Sequence, residues 1–177
     1  GALKGLEVGP GAGVVCVTLL KEMESIRMVA VDIAQKAVAM TEKNAGFHQV
    51  PERLNAHRGD FRNIPSELCG GYDFIISNPP YLSKREFLRA MPEVRDFEPE
   101  EALVGGETGI ESIVDIVRIS DDHLVPGGFL FIEFGFGQKT MVCEIIESNG
   151  WFEKCEIIDD LARIPRVAAA RKKRARA

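Results

Sequence analysis

The chain has 177 residues, of which 45% are hydrophobic and 28% are charged, as expected for one ordinary globular domain. Its formal net charge is −5, but five of the 22 basic residues lie in the last seven positions, so residues 1–170 carry −10. An acidic body disfavours stable nucleic-acid binding through phosphates, and the apolar runs are too short to span a bilayer.

Short apolar strands alternate with amphipathic helices along the chain. Strands are expected at 6–8, 26–32, 54–60, 72–77 and 129–134, with two more in WFEKCEII and RVAAA. Helices are expected from the glycine-rich segment to about Glu24, over about 34–45, over 109–124 and over about 138–148, and a long polar loop precedes residue 109. This alternation predicts an α/β fold whose mostly parallel sheet carries helices on both faces.

The domain boundaries follow from the same pattern. We expect one domain over residues 1–170, followed by a disordered basic tail over residues 171–177. The four cysteines form no CxxC pair, which favours buried free thiols. The three histidines are scattered, so we expect no metal site.

The segment EVGPGAG joins the first strand to the first helix. Its glycines allow a sharp turn and the close approach of a ligand, which makes Gly9, Pro10, Gly11, Ala12 and Gly13 candidate cofactor contacts. A dinucleotide fingerprint would need glycine at Val14, and a P-loop would need Lys followed by Ser or Thr after Gly13. The loop therefore favours a ligand of another kind.

Acidic residues near three strand ends indicate which ligand. Glu7 suits a cationic group, Asp32 can accept both hydroxyls of a ribose, and Asp60 with Phe61 offers an acceptor and a ring for adenine. Glu7 could instead be a structural acid, and Phe61 could be part of the core. A ribose, an adenine and a positive charge without phosphates describe S-adenosylmethionine.

The segment SNPPYL follows the apolar strand YDFIIS. Asn-Pro-Pro would end any strand, so a simple turn is one interpretation. However, the carboxyl ends of parallel strands meet at the edge where such folds bind ligands. The order EVGPGAG, VAVD, GDF and NPPY resembles the Rossmann-like, class I S-adenosylmethionine-dependent methyltransferases that modify planar nitrogen.

Within that group, residues 92–111, 124–138 and 159–172 are similar to the HemK family of release-factor glutamine methyltransferases. NPPY alone is shared with adenine-N6 methyltransferases of DNA and RNA, whereas the EPEEAL segment and the two glycines after it narrow the resemblance. The family usually carries a helical domain ahead of the glycine loop that helps hold the release factor, and no such domain precedes Gly9 here.

The resemblance implies methyl transfer to the glutamine amide in the Gly-Gly-Gln motif of a release factor, with S-adenosylhomocysteine as product. Asn78, which would also contact the cofactor, and the Pro79 carbonyl would accept the two amide hydrogens, Pro80 would stiffen the loop, and Tyr81 would lie against the amide plane. We expect a monomer in the cytoplasm, or in the mitochondrial matrix of a eukaryote, without stable nucleic-acid or membrane binding. An adenine-N6 methyltransferase and a catalytically silent interaction module remain the alternatives.

Overall fold

A computed structural model describes residues 1–95 and 99–174. The strands are β1 (Leu3–Val8), β2 (Ile26–Asp32), β3 (Leu54–Arg58), β4 (Tyr72–Ser77), β5 (Leu82–Ser83), β6 (Val104–Gly106), β7 (Leu124–Glu133), β8 (Glu156–Asp159) and β9 (Pro165–Arg171). The helices are α1 (Val14–Glu22), α2 (Gln35–Phe47), α3 (Lys84–Phe87), α4 (Pro92–Arg95), α5 (Glu100–Leu103), α6 (Glu111–His123) and α7 (Lys139–Ser148).

The main sheet has seven strands in the order β3-β2-β1-β4-β7-β9-β8. All pairs from β3 to β7 are parallel, and β9 runs antiparallel to both of its neighbours. The strand order reverses direction between β1 and β4, and such a switch point opens a crevice at the carboxyl ends of the strands. The predicted Rossmann-like class I fold is therefore confirmed.

Both faces of the sheet are covered, as alternating residues of β2 show. Met28 and Ala30 belong to a core cluster that includes buried residues of α1 and α2. Val29 and Val31 belong to a larger cluster on the other face, which includes buried residues of α6 and α7. Burial on both faces explains why the central strands read as continuous apolar runs.

Several element bounds differ from the sequence predictions. β1 begins at Leu3 because its first residues already pair with β2. The long polar loop is not unstructured throughout: besides α3, α4 and α5 it contains β5 and β6, which pair with each other. Residues 96–98 of this segment lie outside the described residues.

The predicted disordered tail was placed too early. Arg171 is the last residue of β9, the Lys172 backbone bridges Phe152, and the Lys172 ammonium lies 3.2 Å from an Asp121 carboxylate oxygen. These residues extend the end of β9, because the backbone groups of Lys172 and Lys173 bond to Gly127, Gly128 and Trp151. Residues 175–177 of the predicted tail lie outside the described residues. In the part of the chain that the structure describes, no helix has the length and apolar character needed to cross a membrane.

The expectation of buried thiols was wrong for one cysteine. Cys69 is exposed, whereas Cys16 and Cys155 are buried and Cys143 is half-buried. The exposed position of Cys69 follows from its place at the end of a short 3₁₀ turn, Ser66–Leu68, on the surface before β4.

Candidate active site

The glycine loop and the SNPPY loop start side by side at the switch point. Val8 at the end of β1 pairs with Ser77 at the end of β4, so Gly9 and Asn78 leave adjacent parallel strands at the same level. Such strands lie about 4.8 Å apart. The buried Ser77 hydroxyl donates to the Val8 carbonyl over 2.8 Å and ties the two strand ends together.

The glycine loop owes its shape to a series of left-handed backbone angles. Gly9, Gly11 and Gly13 have φ values of 68°, 57° and 76°, which other residues rarely adopt. The Gly13 amide donates to the Pro10 carbonyl over 2.7 Å and closes the turn. At Gly13 a second restriction applies, because a Cβ atom would lie 2.8 Å from the Thr41 methyl carbon.

Two polar side chains of α2 hold the same loop from behind. The Thr41 hydroxyl donates to the Gly11 carbonyl over 3.2 Å, and the Asn44 amide donates to the Ala12 carbonyl over 2.8 Å. Neither residue was singled out from the sequence, since a polar residue inside a helix carries no periodic signal. The loop is thus fixed before any ligand arrives.

Glu7 lies beneath the loop and is only 3% exposed. Its carboxylate accepts a hydrogen bond of 2.9 Å from the Cys16 amide in the first turn of α1. Burial raises the pKa of the Glu7 carboxyl, and the hydrogen bonds with Cys16 oppose that rise. The structural role of this acid is therefore evident, and its contact with a cationic ligand stays a prediction.

Asp32 ends β2 and orients the loop from the other side. One carboxylate oxygen accepts from the Ala34 amide over 2.8 Å, and the other accepts from the Gly11 amide over 3.2 Å. Both bonds are solvent-exposed, and a carboxylate oxygen can accept more than one hydrogen bond. Asp32 can therefore still accept the hydroxyls of a ribose.

Asp60 and Phe61 follow β3 and form the third side. The Asp60 carboxylate caps a short 3₁₀ turn and pairs with the Arg62 guanidinium at 2.8 Å. The hydrogen bond from Arg62 lowers the pKa of Asp60. The half-buried Phe61 packs against the larger core cluster, so its ring is part of the core at least on one side. The adenine contacts of both residues stay predictions.

The SNPPY loop presents its first residue to solvent and buries its second. Asn78 is exposed, Pro79 is buried, and Pro80 and Tyr81 are half-buried. Within residues 1–95 and 99–174, the Asn78 side chain makes no hydrogen bond, so its amide is available to a ligand. The Tyr81 ring packs on the buried Gly135, where a Cβ atom would lie 2.9 Å from Tyr81 Cδ2.

Two buried glycines form the rear wall of this loop. A Cβ atom on Gly105 of β6 would lie 2.3 Å from the Pro80 carbonyl oxygen, and one on Gly109 would lie 2.4 Å from the Tyr81 carbonyl oxygen. Gly109 also has a φ of 82°. The backbone of residues 104–109 therefore lies directly against the backbone of the SNPPY loop.

The residues brought together fit S-adenosylmethionine. Space lies open beyond Gly9 and Gly11, since a Cβ atom on either would meet no heavy atom within 4 Å. Acidic side chains stand on two sides of that space and there is no lysine in the loop to bind a phosphate. Among the described residues, no group of three or more His, Cys, Asp or Glu side chains could hold a metal ion.

Residues 2–93 match the family described as "Methyltransferase small domain". The chain belongs to this family. The release factor glutamine methyltransferase of Synechocystis sp. is 34% identical over 166 residues, covering 94% of this chain and 56% of that protein. Its counterpart in Nitratidesulfovibrio vulgaris is 37% identical over 174 residues, covering 97% and 58%. The chain thus spans less than two thirds of these relatives' length.

Solved structures agree with the fold. A methyltransferase from Pyrococcus furiosus superposes with a TM-score of 0.71 at 17% identity, covering 99% of this chain and 77% of that one. The predicted resemblance to release-factor glutamine methyltransferases is confirmed by the names of the relatives. The predicted cofactor, S-adenosylmethionine, is the one that the methyltransferase family supports.

Proposed function

We propose that this chain transfers the methyl group of S-adenosylmethionine to the glutamine side-chain nitrogen in the Gly-Gly-Gln motif of a peptide-chain release factor. The observation that carries the proposal is the exposed Asn78 amide, which leaves β4 at the level where the glycine loop leaves β1. The names of the relatives support the substrate class. We also propose that the chain is a cytoplasmic monomer. The charge of −10 on residues 1–170 supports the proposal that it does not bind nucleic acid stably.

An amide nitrogen is a poor nucleophile because its lone pair is delocalised into the carbonyl. The Asn78 side-chain oxygen and the Pro79 carbonyl accept the two N–H hydrogens, which fixes the nitrogen and favours a pyramidal, electron-rich geometry. Bound S-adenosylmethionine supplies an electrophilic methyl group on its sulfonium. The rigid Pro79-Pro80 backbone positions the acceptors at folding, so little entropy is lost in the transition state. The substrate nitrogen loses its proton to solvent after transfer, when it is more acidic.

Methyl transfer from labelled S-adenosylmethionine tests the proposal directly. Labelling of a release factor, and no labelling of the same factor with its motif changed to Gly-Gly-Asn, is the expected result. Labelling of RNA or DNA in place of the factor would establish the adenine-N6 alternative. If none of these substrates is labelled while the cofactor binds, the chain is a silent binding module.

Substitution of Asn78 tests the chemical role. Asn78→Ala should lower kcat about 10²–10³-fold, the usual cost of losing an oriented polar group, with little change in cofactor affinity. Asn78→Asp keeps one acceptor but places a negative charge near the sulfonium, so we expect unchanged or tighter cofactor binding and poor turnover. If the Asn78→Ala protein keeps most of its kcat, SNPPYL has no catalytic role and is only a turn that ends the strand.

A further inference from the structure

The Gln138 side chain lies where three segments of the candidate site meet. Its oxygen accepts from the Gly135 amide over 2.8 Å, at the end of the segment that follows β7. Its nitrogen donates to the Tyr81 carbonyl in the SNPPY loop over 2.9 Å and to the Gly109 carbonyl over 3.5 Å. One amide group therefore joins the segment after β7, the SNPPY loop and the rear wall behind that loop.

The orientation of this amide follows from its partners. Gly135 offers an N–H donor, so the side-chain oxygen must face it, whereas the carbonyls of Tyr81 and Gly109 are acceptors and must face the NH₂ group. Both ends of the amide are needed. Neither a carboxylate nor an aliphatic side chain of the same size could make both kinds of bond.

Helix capping does not explain Gln138. The residue is the N-cap of α7, but its side chain makes no capping hydrogen bond to that helix. Ser, Thr, Asp and Asn are the residues that cap well, and glutamine is not among them. Its side chain turns away from α7 toward the site.

We propose that Gln138 is a positioning residue for methyl transfer, which holds the Tyr81 backbone and thereby keeps the Asn78 and Pro79 acceptors in place. Asn78 and Tyr81 are three positions apart on a loop stiffened by two prolines, so a shift at Tyr81 is transmitted to Asn78. The expected change in kcat rests on the proposed function, whereas the expected effect on the position of the SNPPY loop does not.

Two variants separate the ends of the amide. Gln138→Ala removes all three bonds, and Gln138→Glu keeps the acceptor for Gly135 but turns an oxygen toward two carbonyls. We expect kcat on a release factor to fall about 10²-fold in both at pH 8, the scale of a misplacement of about 1 Å, with KM and cofactor affinity within about twofold. Thr140→Ala, an exposed change in the same helix end, is the matched control and should keep wild-type kcat.

The pH profile of Gln138→Glu distinguishes positioning from a general loss of packing. Protonation gives the Glu side chain an O–H donor, which can bond to the Tyr81 carbonyl. The kcat of Gln138→Glu relative to wild type should therefore rise at least about fivefold between pH 8 and pH 5.5, while Gln138→Ala shows no such recovery. Wild-type kcat in Gln138→Ala, a change confined to KM, or a flat relative profile in Gln138→Glu would overturn the proposal.

Amide hydrogen exchange provides a readout that does not need activity. Pro79 and Pro80 have no amide hydrogen, so the Tyr81 and Leu82 amides report on this loop. Their exchange should be at least about tenfold faster in Gln138→Ala than in wild type, with the amides of the seven-stranded sheet unchanged. Unchanged exchange at both amides would refute the positioning role even if the wild-type chain proved inactive on release factors. If wild type is inactive but exchange is faster, the proposed function fails and the loop contact stands.

Discussion

Gly105→Ala offers a direct way to move the SNPPY loop without changing any of the predicted cofactor or substrate contacts. A methyl group on Gly105 would lie 2.3 Å from the Pro80 carbonyl oxygen, whereas ordinary contact begins at 3.4 Å. The φ of Gly105 lies outside the left-handed region, so Gly105→Ala adds no backbone strain of that kind. Pro80 or β6 must therefore move by about 1 Å, and both are backbone that cannot rotate away.

The size of the effect follows from that displacement. Forcing a methyl group into a packed site costs about 1–3 kcal/mol of stability. A misplacement of about 1 Å in a positioned group costs about 10²-fold in rate. We therefore expect Gly105→Ala to lower kcat about 10²-fold, while cofactor affinity stays within about twofold because most of the predicted cofactor contacts lie at or after the ends of β1, β2 and β3, whereas Gly105 lies against the loop that follows β4.

The assay is methyl transfer at saturating cofactor, with calorimetry for cofactor affinity and thermal unfolding for stability. Gly46→Ala is the matched control, because a Cβ atom on Gly46 of α2 would meet nothing within 4 Å. That variant should keep kcat and gain about 0.5–1 kcal/mol of stability from helix propensity. A folded Gly105→Ala protein with wild-type kcat would show that the rear wall does not position the loop.

Three other changes test separate parts of the structure. Asp32→Ala should weaken S-adenosylmethionine binding by about 1.5–3 kcal/mol in calorimetry, and unchanged affinity would remove the ribose assignment. His123 accepts from the Gly70 amide over 3.3 Å, and burial lowers its pKa from 6.5 against the opposing charge of Asp122. The unfolded protein therefore binds more protons at His123 than the folded protein, so the stabilisation from this histidine is complete above pH 6.5 and is lost as the pH falls below that value. The urea midpoint should therefore fall less between pH 7.5 and pH 5.5 in His123→Gln than in wild type. An equal fall in both proteins would refute this. Arg163 has a φ of 62°, so Arg163→Gly should raise stability by about 0.5–1 kcal/mol in thermal unfolding, and a loss would show that its side chain matters more than its backbone.

The strands were predictable where burial on both faces left a continuous apolar run, as in β2 and β4. The length of β1 was underestimated because Gly5 interrupts its apolar pattern. The structure shows why a glycine stands there: a Cβ atom on it would collide with the Phe74 ring from β4 and the Met28 sulfur from β2. The need for glycine at position 5 arises from side chains of two neighbouring strands, so it cannot be predicted from the sequence of β1 alone.

Residues of the candidate site could be predicted where their side chains are chemically distinctive. They could not be predicted where the contacts are made to backbone groups. Asp32 and Asn78 stand out because a polar side chain ends an apolar strand. Gln138 gave no such signal, since its side chain binds only backbone groups, and two of them belong to residues 57 and 29 positions away in sequence. The pairing of β5 with β6 was missed because two- and three-residue strands show no periodicity.

The rear wall also gives a physical reason why glycines follow EPEEAL, the segment on which the resemblance to glutamine methyltransferases depends. Gly105, the first of the two consecutive glycines after EPEEAL, lies behind Pro80, and Gly109, which follows a few residues later, lies behind Tyr81. NPPY supplies acceptors that suit any planar NH₂ group, so it cannot by itself separate an amide from an adenine. The backbone carbonyls of Pro80 and Tyr81 lie against the wall, so a shift of the wall would move the Tyr81 ring relative to Asn78. We therefore expect Gly105→Ala to change the discrimination between a release factor and an adenine substrate in the methyl-transfer assay, as well as the rate.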